Sequence, residues 1–240
     1  MQQPVHRRII EIDLVRGSAL ILMIAYHLLY DLNVFFHFDI AYDQGLFYVM
    51  GKAAAILFIL VAGVSSSLSK NNTVRGLKLI GWGFVIFLVT GITVPGSNIV
   101  FGILPFLGVC LLLYPVAARI SPYLLMVIGA AILLSGDFMA SLPAGHKWLA
   151  PLGLRTPAFY SADYFPMLPW WGLFLWGIAI GKLVYPQKKG LLKSKSLLFK
   201  PLAVAGQHTL LIYLLHQPVM LAALFLIFEP ELLLNWLTKI

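Results

Sequence analysis

Asp13-Leu14-Val15-Arg16-Gly17-Ser18-Ala19-Leu20-Ile21-Leu22-Met23-Ile24-Ala25-Tyr26-His27-Leu28-Leu29-Tyr30-Asp31 decides the fold class. The stretch is apolar over the length a bilayer-spanning helix needs, roughly 20 residues. Yet Asp13, Arg16, His27 and Asp31 interrupt it at spacings of 3, 11 and 4, steps of about one, three and one helical turns, so the four lie on one stripe. A stripe of ionisable groups cannot face acyl chains. It looks into a helix bundle and lines a polar cavity.

The rest of the chain has the same character. It has 240 residues, 60% apolar and 11% charged, with mean hydropathy +0.91; an ordinary soluble domain is roughly 25% charged. Apolar windows give about seven spans: Leu14 to Phe36, Gly45 to Leu68, Leu77 to Thr93, Phe101 to Ala118, Tyr123 to Met139, Met167 to Tyr185 and Gly206 to Phe228. The expected fold is an all-α polytopic membrane protein, a single domain over 1–240. The first run is too long and too polar-flanked for a cleavable signal peptide and is retained as a span. Cys110 is the single cysteine, which excludes intrachain disulfides and multi-cysteine metal sites.

A net charge of +8 suggests a nucleic-acid partner until the charges are placed. Arg7, Arg8, Arg16, Lys70, Arg75, Lys78, Arg119, Lys182, Lys188, Lys189, Lys193, Lys195 and Lys200 all fall on one side of the seven spans, against Lys147, Arg155 and Lys239 on the other. The positive-inside rule then puts the N-terminus in the cytoplasm and the C-terminus outside, and no nucleic acid is needed. The basic segment Gln187 to Lys200 reads as an anchor to anionic lipid head groups. The long connector Ala140 to Pro166, with four prolines, disfavours a regular helix and reads as an ordered outer cap.

At about 1.5 Å of rise per residue, His27 lies roughly 16 Å beyond Arg16, and Asp31 about 6 Å further out. Lys52 is roughly 13 Å past Asp43, and His216 roughly 15 Å past Gly206. His27, Lys52 and His216 thus reach similar depths near the bilayer middle. Asp31, four residues beyond His27, is expected to orient its imidazole as a base. Lys52 is expected to pair with Asp31 or to bind an anion. Asp163 stands at the outer mouth of the sixth span near Trp170 and Trp171. Gly177 and Gly181 form a GxxxG that reads as close helix packing.

Arg8 to His27, with its Asp13-Leu14-Val15-Arg16-Gly17, resembles the opening span of the heparan-alpha-glucosaminide N-acetyltransferase catalytic-domain family. Phe101-Gly102-Ile103-Leu104-Pro105-Phe106-Leu107-Gly108, Asp163-Tyr164-Phe165-Pro166-Met167-Leu168-Pro169-Trp170 and Gly206-Gln207-His208-Thr209-Leu210-Leu211-Ile212-Tyr213-Leu214-Leu215-His216-Gln217-Pro218 are similar to its small prokaryotic branch, in the same order. The resemblance implies a transmembrane acyltransferase in a prokaryotic cytoplasmic membrane. Cytoplasmic acetyl-CoA or another acyl-CoA would be the donor, an amino or hydroxyl group of a sugar or glycan on the outer side the acceptor, and a homodimer the assembly. The family's lysosomal member has Asn where His27 stands, and its catalytic histidine falls about where His37 lies, so either histidine is the candidate base.

On that reading Arg8, Arg16, Lys70, Arg75 and Lys78 hold the CoA phosphates. His27 or His37 is the base, Asp31 its orienter, and Lys52, Asp163, Trp170, His216 and Gln217 contact the acceptor or the oxyanion, with no metal. Two other functions use the same residues. A proton-coupled transporter would employ the His, Asp and Lys relay, although no internal repeat is visible. A membrane haem protein would take His27 and His216 as axial ligands.

Overall fold

A computed structural model describes residues 9–94, 98–142, 146–192 and 199–231. Among these the regular structure is helical, the sole strand-like feature a single bridge between Phe101 and Tyr164. The helices are α1 (Ile10–Val34), α2 (Gly45–Leu68), α3 (Asn72–Thr93), α4 (Ile103–Ala117), α5 (Pro122–Leu134), α6 (Gly136–Ser141), α7 (Met167–Val184), α8 (Lys200–Gln207) and α9 (Thr209–Phe228), with a 3-10 turn at Lys147–Leu152.

Among the described residues six stretches are long and apolar enough to cross a membrane: α1, α2, α3, α5 with α6, α7 and α9. The fourth expected span differs. Helix α4 has 15 residues, about 22 Å of rise against roughly 30 Å of hydrocarbon. Two spans read as continuous are broken. Ser135 ends α5, its hydroxyl donating to the Ile132 carbonyl at 2.7 Å, and α6 restarts at Gly136. His208, at φ −103° and ψ 24°, separates α8 from α9. The chain breaks there and not at Pro218, which α9 absorbs.

The residues fall into two compact units, 1–58 with 190–240, and 59–189, the division running through α2. In the first unit α1 packs on α8 and α9. The crossing of α1 and α8 is a backbone contact: a Cβ on Gly17 would strike the Leu202 carbonyl, and one on Gly206 the Asp13 carbonyl. The small residues of the Asp13–Gly17 and Gly206–His208 motifs are thus the two sides of one helix crossing, as in tightly packed membrane helices.

In the second unit α5 packs on α7 and α3 on α4. The GxxxG glycines lie against the second part of α2, Gly177 on Gly63 and the Leu60 carbonyl, Gly181 on Ser67. Sequence reading counted Lys182 among the basic residues of the cytoplasmic side. Its ammonium donates to the Ala118 and Ile120 carbonyls at 2.8 and 2.6 Å, at the open C-terminus of α4, where a cation complements the helix dipole. The described part of the connector before α7 is tied down by hydrogen bonds. Its Tyr164 hydroxyl donates to the Ala150 carbonyl at 2.6 Å, and Phe165 N–H to the Phe101 carbonyl at 2.9 Å.

Candidate active site

The first unit gathers His27 and Asp31 from α1 with His216 and Gln217 from α9. The two imidazoles meet edge to face with ring centroids 4.9 Å apart. His27 Nδ1 lies 2.9 Å from the Met23 carbonyl and His216 Nδ1 2.6 Å from the Tyr213 carbonyl. A carbonyl only accepts, so each Nδ1 carries the proton and each neutral ring keeps its lone pair on Nε2. Backbone carbonyls one turn back therefore set both tautomers.

This corrects the expected role of Asp31 as orienter. A residue at i+4 is within reach of His27, but the Asp31 side chain, fully buried, turns to α9 instead, where Gln217 Nε2 donates to its Oδ1 at 2.6 Å. Nor does Lys52 pair with Asp31. It is exposed on α2, its ammonium 5.3 Å from the Tyr48 ring centre. His216, expected as an oxyanion or acceptor contact, has Nδ1 committed to the Tyr213 carbonyl, which leaves Nε2 as the ring atom free for that contact.

Asp31 Oδ2, Gln217 Oε1 and His216 Nε2 are buried without a hydrogen-bond partner. Buried polar atoms are ordinarily satisfied, and unpaired ones are costly. All three are acceptors, so the pair of helices holds a set of buried atoms suited to a ligand that brings hydrogen-bond donors. A haem fits less well: imidazoles in edge-to-face contact at 4.9 Å leave no space for a porphyrin plane between them. Among the described residues no group of three or more His, Cys, Asp or Glu is placed to hold a metal ion.

Beside His27 stand tyrosines that sequence reading passed over. Tyr26 packs edge-on to His27 at 5.9 Å and to Tyr42 at 6.3 Å, and Tyr42 meets Tyr30 at 5.2 Å. Gly51 on α2 makes room for the Tyr26 ring. Tyr26 and Tyr30 share a face one turn apart, a detectable signal, but Tyr42 joins them only because the connector folds back, with Asn33 Nδ2 donating to the Phe38 and Ile40 carbonyls at 3.0 and 3.1 Å.

The family profile described as heparan-alpha-glucosaminide N-acetyltransferase, catalytic, matches residues 8–218. The chain belongs to this family. No curated protein and no solved structure gives a match. The heparan-alpha-glucosaminide N-acetyltransferase match ends on Pro218, directly after His216 and Gln217, and crosses both units. With the apolar helices it identifies an integral membrane protein of an acetyltransferase family.

The remaining expected residues distribute as follows. His37 lies beyond the end of α1, exposed and in the left-handed region at φ 58°, where its N–H bonds the Asn33 carbonyl at 3.1 Å. That is a helix-terminating position. Arg16 is ion-paired with buried Asp13 at 2.9 Å. Arg8 lies outside the described residues. Lys70, Arg75 and Lys78 belong to the second unit, at the start of α3. Arg75 is half-buried and donates to Asn72 Oδ1 at 3.3 Å, while Asn72 Nδ2 donates to the Ser66 carbonyl at 2.8 Å.

Asp163 and Trp170 are also in the second unit. Asp163 Oδ2 accepts from the first N–H of α4, that of Ile103, at 3.2 Å, and Gly102 packs against the same oxygen. Burial raises its carboxyl pKa to about 6, opposed by the Ile103 hydrogen bond. The Phe101–Gly108 and Asp163–Trp170 stretches thus form one joint, the second capping the helix opened by the first. Trp170 packs on Phe165 with ring centres 4.9 Å apart.

Proposed function

We propose that the chain is a membrane-embedded acyltransferase. It moves an acetyl or other acyl group from cytoplasmic acyl-CoA to an amino or hydroxyl group of a sugar or glycan-like acceptor on the outer side. The membrane is the cytoplasmic membrane of a prokaryote, and the chain works as one catalytic domain. The observation that carries this reading is the His27–His216 contact, with both Nδ1 atoms tied to backbone carbonyls and Nε2 left as the basic atom of each ring.

His27, and not His37, is the base. Its Nε2 accepts the acceptor's proton as the nitrogen or oxygen attacks the thioester carbonyl, and a histidine so placed contributes typically 10²- to 10⁴-fold. Asp31 and Gln217 hold the acceptor through the unpaired oxygens described above, with Lys52 as a further polar contact. Lys70, Arg75 and Lys78 bind the phosphates of CoA, and Asn72 holds the Arg75 guanidinium for that purpose. Asp163 and Trp170 support the outer connector.

The test is thiol release from acetyl-CoA by the purified full chain in lipid nanodiscs, with glucosamine as acceptor. Turnover that falls at least 100-fold in His27→Asn and persists in His37→Gly is the expected result. No turnover by the unsubstituted chain with any acyl-CoA and amino sugar would overturn the reading.

A further inference from the structure

The proposed base has a twin. His216 is anchored as His27 is, Nδ1 to a backbone carbonyl one turn earlier, and its Nε2 is buried with no partner. A neutral imidazole in that state is an acceptor, as are Gln217 Oε1 and Asp31 Oδ2, buried and unpaired on the same two helices. A proton on Nε2 turns His216 into the donor that this group of atoms lacks. The side chains in ring contact or hydrogen-bonded in the cluster are His27, Tyr26 and Asp31 on α1 and Tyr213 and Gln217 on α9, and Asp31 is the carboxylate among them.

Acyl transfer from a thioester needs a second proton movement besides the one His27 accepts. The departing sulfur leaves as a thiolate, and in a site withdrawn from water it has no solvent proton to take. We propose that His216, as the imidazolium, is the general acid that protonates the departing thiolate, and that His27 and His216 form an acid and base pair carrying a single proton between them.

The step balances. The acceptor's nitrogen or oxygen forms a bond to the thioester carbon while its proton passes to His27 Nε2. The C–S bond then breaks with its electron pair going to sulfur, which takes the proton from His216 Nε2. The acceptor is acylated, CoA leaves as the thiol, and return of the proton from His27 to His216, whose rings are in contact, restores the starting state. This inference rests on the acyltransfer reading and adds to it the group that serves the leaving atom.

The experiment compares donors whose leaving groups differ. His216→Asn keeps an amide N–H for the Tyr213 carbonyl and loses Nε2, and His216→Gln serves as a second variant, each checked by size-exclusion chromatography and thermal melting. Acetyl-CoA leaves as a basic alkyl thiolate that needs a proton, whereas S-phenyl thioacetate leaves as a weakly basic aryl thiolate that does not. With glucosamine as acceptor, kcat of His216→Asn falls about 100-fold or more on acetyl-CoA and less than about fivefold on S-phenyl thioacetate, while His27→Asn falls on both. Equal losses on the two donors in both folded His216 variants, or no loss on acetyl-CoA, overturn the acid role and leave the acyltransfer reading standing. An unsubstituted chain inactive on both donors overturns the two together.

Discussion

Gln217 donates to the Asp31 carboxylate at 2.6 Å, joining α9 to α1 across 186 residues of chain. The bond holds a fully buried acid in the part of the molecule where an ionisable group costs most. Asp31 Oδ2 and Gln217 Oε1 remain unpaired, so removing one partner leaves a second buried carboxylate oxygen unsatisfied. Gln217→Leu is expected to destabilise the protein by about 1–3 kcal/mol, and Asp31→Leu with Gln217→Leu by less than the two single changes added. Thermal melts of the four proteins in one detergent give the coupling; strict additivity would mean that the bond contributes nothing.

A second expectation concerns the crossing of α1 and α8. A methyl group on Gly206 would strike the Asp13 carbonyl and crowd the Gly17 backbone nitrogen, and backbone cannot rotate aside as a flexible side chain does. Gly206→Ala should therefore cost about 1–3 kcal/mol or more, through separation of the helices. Gly81, in α3, meets nothing within 4 Å and supplies the control. Gly81→Ala should stabilise by up to about 1 kcal/mol, because alanine loses less backbone entropy in a helix. Melting temperatures moving in opposite directions are the signature, and a neutral Gly206→Ala would refute the close crossing.

Much of this arrangement was legible from the residues. The bounds of α2 follow directly from a run that opens on Gly45 and closes on Leu68 before Ser69 and Lys70. A fixed rise per residue put His27 and His216 at one depth, and their rings do meet. What stayed hidden were choices between competing partners. Asp31 at i+4 from His27 read as its orienter, but every helical residue also has a carbonyl one turn back, and Met23 took that role, freeing Asp31 for Gln217. Asp163 read as an acceptor contact; a missing Cβ at Gly102 lets it approach the α4 N-terminus, a relation between segments 60 residues apart that no local pattern carries.

The Asp163 carboxyl makes stability depend on pH. Its pKa in the folded protein, about 6, lies above the roughly 3.9 of an unfolded chain. Between those values the folded state binds more protons than the unfolded one, so stability falls as pH rises from about 4 to about 6 and levels off above, by at most about 1.4 kcal/mol per pH unit. Asp163→Asn keeps an oxygen for the Ile103 N–H and removes the titration. Chemical denaturation at pH 4.5, 5.5 and 7 should show this component in the parent and lose it in the variant; identical pH dependence in both would exclude Asp163 as its source.

The two candidate bases separate most clearly by backbone. His37 has φ 58°, a region in which a side chain costs energy and glycine does not. His37→Gly should therefore hold or raise the melting temperature, by up to about 1 kcal/mol in stability, and retain acyl transfer, whereas His37→Val, β-branched in the left-handed region, should lower it. His27 sits in regular helix, half-buried, with Nδ1 bonded to Met23, so His27→Asn should spare the fold and remove about 10²- to 10⁴-fold of turnover. Both variants assayed beside the parent for thiol release from acetyl-CoA give the answer. Activity lost in His37→Gly and kept in His27→Asn would move the base to the end of α1 and deprive the His27–His216 contact of its catalytic role.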